Sequence, residues 1–171
     1  MTKAEYVTFT SRVVNATRGL VNKTPEDKLD WRPDPSFMKM SAVLHHVSNL
    51  VGSQLSDVMN EAWEYRPAGA AGDAQPSPAL PSADSCPTVT CVDQARKMIA
   101  ADWRLFEERF ARVDEDTFNR QVCRIPWMAP GTILRDYMLM ATEHLSNHRM
   151  QLFLYLRLLG VKVDTTHLYY G

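Results

Sequence analysis

The sequence predicts an all-α protein, four long helices packed as a bundle with a long crossover between the second and the third. Three observations carry this reading. Apolar residues recur at helical spacing in four separate stretches. One proline-rich stretch, Pro67 to Pro87, is long enough to travel the length of a bundle. Internal repeats are absent, as are the glycine signatures of Rossmann and P-loop folds.

The first helix runs from about Ala4 to about Asn22, marked by Val7, Val13, Val14 and Leu20, and stops at Asn22 and the Thr24-Pro25 pair. A linker with Trp31, Pro33 and Pro35 follows. The second helix spans about Met38 to about Glu64, where Met40, Val43, Leu44, Val47, Leu50, Val51, Leu55 and Val58 keep the helical period. Between Pro67 and Pro87 the chain holds five prolines and almost no large apolar residue, which reads as a crossover loop. A loop of that length lets the second and third helices run parallel. The third helix covers about Val92 to about Arg112, with Met98, Ile99, Trp103, Leu105, Phe106 and Phe110 as its apolar content. Asp114 to Pro130 reads as irregular, with Phe118 to Ile125 as a short extended stretch. The fourth helix starts near Gly131-Thr132, with Thr132 as its cap, and runs to about Leu159, where Gly160 stops it. The tail, Val161 to Gly171, reads as irregular.

Length and composition fit a single domain over residues 1–171. Hydrophobic content is 45%, charged content 23% and formal net charge -1, which argues against a nucleic-acid protein held by a basic face. No apolar run reaches the ~18 residues that span a bilayer, and Met1 to Thr10 lacks the apolar core of a secretory signal. Cys86, Cys91 and Cys123 are odd in number and form no Cys-x2-Cys pair, so neither a disulfide framework nor a cysteine-rich zinc site is expected. These features read as a cytoplasmic protein with neither nucleic acid nor membrane as partner.

The most informative segment is Glu143-His144-Leu145-Ser146-Asn147-His148-Arg149-Met150-Gln151. Four residues along an α-helix are a rotation of ~40° and a rise of ~6 Å, so His144 and His148 leave one face and can share an ion. Tyr137, Ala141, His144, His148, Leu152, Tyr155 and Leu159 follow the spacing of a bundle core stripe. Both histidines therefore fall where that stripe ordinarily carries Leu or Val. Buried imidazoles need partners for their ring nitrogens, and carboxylates or carbonyls serve as well as a metal. A metal requires a third ligand from a facing helix. Of the remaining histidines, His45 and His46 lie in the second helix. His46 falls beside Val43 and Leu50 at the edge of the apolar arc, and His45 beside Ser41, Ser48 and Gly52 on the polar side, so periodicity favours His46 as the inward one.

Taken in order, these pieces resemble the DinB/YfiT superfamily of metal-dependent four-helix bundles. Leu29-Asp30-Trp31-Arg32-Pro33 is similar to its segment between helices one and two, and Leu44-His45-His46-Val47 to its first-ligand motif. The His144 segment resembles its His-x3-His-Arg-Gly-Gln signature, with Met150 in place of the glycine, and Leu156-Arg157-Leu158-Leu159-Gly160-Val161 resembles the end of its last helix.

The resemblance implies a divalent metal ion, zinc or nickel, on His46, His144 and His148, with His45 outside the ligand set. Relatives it implies include thiol S-transferases and an isomerase that use low-molecular-weight thiols. Three imidazoles leave a coordination position open, at which water or a thiol is activated. The expected function is metal-dependent transfer or hydrolysis of a small molecule, with a low-molecular-weight thiol as a candidate partner and no catalytic side chain identified. The alternative is a non-enzymatic metal-binding or stress-response bundle. Glu143, Arg149, Gln151, Trp31 and Trp127 are the candidate helpers, and a homodimer is expected from the habit of related bundles.

Overall fold

The structure, a computed structural model, describes residues 1–60, 82–125 and 128–171. Seven α-helices follow one another among them: α1 (Lys3–Asn22), α2 (Met40–Ser48), α3 (Val51–Met59), α4 (Val92–Phe110), α5 (Glu115–Arg120), α6 (Leu134–Leu158) and α7 (Thr165–Tyr169). The described residues contain no strand, only an isolated bridge between Val122 and Ile133. The all-α bundle is therefore observed.

Helix α1 starts where the sequence offers a capping box. The Thr2 side chain accepts from the Glu5 amide, and the Glu5 carboxylate accepts from the Thr2 amide. At the other end of the chain's longest helix, α6, Gly160 takes φ +77°. That left-handed turn lets the Gly160 and Val161 amides donate back to the Arg157 and Leu156 carbonyls, a Schellman closure that most side chains resist.

Helix directions follow from cross-chain contacts. The Val89 amide meets Ser41 O just ahead of α4, and Gly52 meets Asp102 and Phe106 further along it, so α2–α3 and α4 run parallel. Met38 pairs with Tyr155, His46 with His144 and Gln54 with Tyr137, so α2–α3 and α6 run antiparallel. Lys3 meets Val113 and Asn22 meets Arg96, which sets α1 antiparallel to α4. The four long elements thus run up, down, down, up, as a long crossover between the second and third requires. Residues 61–81, which hold most of that crossover and the end of the second helix near Glu64, lie outside the described residues.

The core is aromatic at one end. Tyr6, Phe106 and Phe118 are fully buried, and Phe110 joins them with ring centroids 4.9–6.1 Å apart. The Tyr6 hydroxyl donates to Met138 O at 3.0 Å, and Thr142 and Thr10 complete a buried polar seam between α1 and α6.

Four expectations need correction. The second helix is not continuous, because it breaks at Asn49–Leu50 into α2 and α3. The Asp102 carboxylate of α4 reaches across and accepts from the Gly52 and Ser53 amides at 2.9 and 2.8 Å, capping α3 from another helix. Asp114 to Pro130 is not wholly irregular. Asp114 caps α5 by accepting from Thr117, and Phe118, expected in an extended stretch, is helical because its ring fills the aromatic core. The tail forms α7, capped by Asp164 and held by buried Leu168. Ile133, not Thr132, occupies the cap position of α6, and the Thr132 hydroxyl donates to Ala129 O instead.

Candidate metal centre

The break between α2 and α3 falls three residues after His46, so that histidine sits in the last turn of a short helix whose axis is set independently of α3. Opposite it, His144 and His148 stand one turn apart near the middle of α6. The three rings converge, with centroids 5.0 Å (His46–His144), 4.3 Å (His46–His148) and 4.6 Å (His144–His148) apart. One nitrogen from each lies within 4.8 Å of the other two, and Nε2 of His46 is 2.7 Å from Nε2 of His144. Ring nitrogens this close share either one proton or one cation. Metal–nitrogen bonds of about 2.0–2.1 Å in a tetrahedral site would separate ligand nitrogens by about 3.4 Å. Nε2 of His46 and His144 stand closer than that and the third nitrogen lies within 4.8 Å, so small rotations of the rings would let the three residues hold a divalent ion.

The protonation chemistry points the same way. Burial holds the His46 pKa down to about 4, helped by charge on His148, His144 and His45, and partial desolvation against the neighbouring rings, with charge on His148, lowers that of His144. Both rings are therefore neutral near pH 7 with a lone pair available.

His148 is set by a chain of hydrogen bonds whose polarity can be read from its far end. The Met38 carbonyl only accepts, so the Tyr155 hydroxyl donates to it, at 2.9 Å. The Tyr155 oxygen then accepts from Nε2 of Gln151 at 3.1 Å, which turns Oε1 of Gln151 toward Nδ1 of His148 at 2.8 Å. An acceptor there requires the proton on Nδ1, and this selects the tautomer whose Nε2 carries the lone pair that ligates. Trp31 packs edge-on against Tyr155 at 5.3 Å and so backs this chain.

The histidines open onto a pocket of about 580 Å³. Its walls are Ser36, Met38 and Ala42 on one side and Ala83, Ser85, Cys86 and Pro87 on the other. The Arg32 guanidinium donates to Asp84 at 2.7 Å and ties the two walls together.

The expected core-stripe position of both histidines is thus only half right. Tyr137, Ala141, Leu152 and Tyr155 are buried, but His144 is exposed and His148 half-buried, because the stripe faces the pocket at those two turns. His45 borders the same pocket but is not among the converging rings. Its neighbours Ser41, Ser48 and Gly52, read as a polar face, are buried. Small residues there let helices approach closely, and at Gly52 an added Cβ would lie 2.0 Å from Asp102 O. Gln151 orients His148 instead of meeting a substrate. Arg149 is half-buried beside Tyr169, away from the pocket walls, and Glu143 is exposed outside them. Trp127 lies outside the described residues. Sequence reasoning missed Tyr155, Met38 and Cys86 as parts of the site. Only Tyr155, four residues beyond Gln151 on the same helix face, left a signal in the spacing.

A sequence model of the DinB superfamily matches residues 10–152. The chain belongs to the DinB superfamily. Its fold is similar to that of a DinB-like protein from Bacillus cereus ATCC 10987 solved by crystallography, with a TM-score of 0.70 over 95% of this chain and 96% of that one at 13% identity. No curated protein matches. This DinB-superfamily chain has no helix, among its described residues, long and apolar enough to cross a membrane. Cys86, Cys91 and Cys123 are all free thiols.

Proposed function

We propose that His46, His144 and His148 bind one divalent metal ion, zinc or nickel, and that the protein uses it to activate a small nucleophile, a thiol or water, for transfer to or hydrolysis of a small molecule. The observation that carries this reading is the convergence of three imidazoles at the head of an open pocket. A bound ion would supply a Lewis acid that lowers the pKa of the nucleophile.

The chain's own residues do the rest. His46 stays unprotonated through burial. Gln151 and Tyr155 hold His148 in the tautomer that ligates. The walls seat the substrate and restrict water. Neutral ligands leave the ion's charge uncompensated, which favours an anionic occupant of the open position. Three free thiols suit a reducing compartment, and we place the protein in the cytoplasm. Met150, Leu154 and Leu158 form an exposed stripe on α6 that suits a homodimer.

A second reading, a metal-binding bundle without catalysis, draws on one feature: the described residues lining the pocket include no carboxylate, lysine or arginine, and His45 is the one imidazole there outside the converging three to act as acid or base. Elemental analysis of tag-free protein tests the site. Wild type is expected to hold about one equivalent of metal and His148→Ala to lose it. Stoichiometric metal in the three single histidine-to-alanine variants alike would contradict the assignment. Turnover across thiols, electrophiles and esters, with and without metal, separates the catalytic reading from the second. Equal background rates in metal-loaded wild type and His148→Ala would favour the second.

A further inference from the structure

We infer that the occupant of the open position is a small molecule with an uncharged, apolar body and a single anionic or soft donor, such as a simple alkyl or aryl thiol, and not a thiol carrying carboxylates or amines. This rests on the metal reading above and narrows it.

The argument is one of electrostatic matching. Beyond the histidines, the described walls are Met38, Ala42, Ala83 and Pro87, interrupted by the small neutral groups of Ser36, Ser85 and Cys86. None carries a fixed charge. The two cations on the wall segments, Arg32 and Lys39, are already paired. Arg32 meets Asp84 at 2.7 Å, and Lys39 meets Asp30 at 2.9 Å. A ligand carboxylate entering this space would leave water and find no guanidinium or ammonium partner among the described lining residues, which raises its desolvation cost. A ligand methylene leaves water and gains wall contacts. The ion would present a positive charge at the head of the pocket, and a single donor satisfies it. One end of the ligand is thus selected for charge and the rest for its absence.

The experiment uses the full chain loaded with cobalt(II). Visible absorption reports the ion on the histidines, and its change on titration reports ligand binding. A series from propanethiol to hexanethiol is compared with 3-mercaptopropionate and 2-aminoethanethiol. Affinity is expected to rise about three- to fourfold per methylene, with the two charged thiols at least about tenfold weaker than the neutral thiol of like size. A second variant, Ser36→Lys, places a cation on the exposed rim and spares the core. It is expected to raise the affinity for 3-mercaptopropionate severalfold relative to that for hexanethiol. A flat alkyl series, or a charged thiol that binds as tightly as its neutral counterpart in wild type, overturns the inference while the cobalt spectrum still stands for the metal site. Absence of cobalt absorption, or the same spectrum in His148→Ala, overturns the metal reading and this inference with it.

Discussion

Removal of the Asp102 carboxylate tests how one residue on α4 shapes the site from a distance. Asp102 is 8% exposed, and its two oxygens accept the amides of Gly52 and Ser53 at 2.9 and 2.8 Å. Asp102→Ala leaves two donors at the start of α3 without partners in a place water barely reaches. A hydrogen bond to a charged group contributes about 1.5–3 kcal/mol, and part of that is returned because the variant no longer buries a charge. A net loss of about 3 kcal/mol is expected. With a urea m-value of about 2 kcal/mol/M, the denaturation midpoint falls by about 1.5 M, and at about 2–4 °C per kcal/mol the melting temperature drops by about 6–12 °C. Asp102→Asn keeps the volume and one acceptor, and is expected to lie between wild type and the alanine variant. Asp93→Ala is the control, because that carboxylate meets only Lys97 on the exposed face of the same helix, and its midpoint should not move. The break that Asp102 stabilises lies just beyond His46, so metal affinity should fall together with stability. Wild-type midpoints for both Asp102 variants would refute the assignment of the cap. Lost stability with unchanged metal affinity would show that the break and the site are independent.

Gln151→Leu preserves bulk but removes the acceptor facing Nδ1 of His148, and metal affinity by calorimetry is expected to fall about 10–100-fold. Gln151→Glu restores an acceptor and should recover most of it, and an unchanged Kd in the leucine variant would show that the chain from Met38 does not set the tautomer. Cys123 is buried and its thiol is pushed up to about 11, so below pH 9 it should be alkylated last of the three cysteines and gain reactivity only as pH approaches that value. Timed iodoacetamide labelling read by peptide mass spectrometry checks the order, and Cys123 reacting as fast as Cys86 would count against the packing around it. Leu154 and Leu158 are 50% and 66% exposed on α6, and replacing both with Asp should turn a dimer into a 19.5 kDa species in sedimentation at micromolar concentration. A wild type that already sediments as the monomer removes the homodimer.

Much of this architecture could be read from residue order, and the failures have a common physical origin. The periods of α1, α4 and α6 predicted their limits to within about three residues, because each is long enough for one apolar face to repeat several times. The spacing of His144 and His148 guaranteed a shared face whatever surrounded them. Short elements escaped. α5 and α7 have six and five residues, too few for a period, and their existence depends on Asp114, Asp164 and the burial of Phe118 and Leu168. The break after Ser48 escaped because Val47, Leu50 and Val51 keep an apolar pattern across it while its cause sits fifty residues away at Asp102. The face containing Ser41, Ser48 and Gly52 read as solvent-facing because small polar residues favour both surfaces and close helix contacts. Periodicity also could not say that the α6 stripe opens onto a pocket, since an exposed position on a core-facing helix is a property of what fails to cover it.

The two sides of the histidine cluster come from positions 98 residues apart, one in the second long element and one in the last. During synthesis, at about 5–20 residues per second, His46 waits several seconds before its partners exist. A chain truncated before α6 presents one imidazole, and α6 alone presents two, so neither fragment has the full donor set. An ion held by all three closes a loop through most of the molecule and acts as a removable cross-link between its first and last thirds. It also rewards only the finished up-down-down-up arrangement, because it binds the native chain and not its unfolded form, and stabilises that arrangement by about 2.7 kcal/mol when free metal is a hundredfold above Kd. If the proposed ion is bound, metal supply would also act as a form of quality control, since starved cells would accumulate the copies most easily unfolded and degraded.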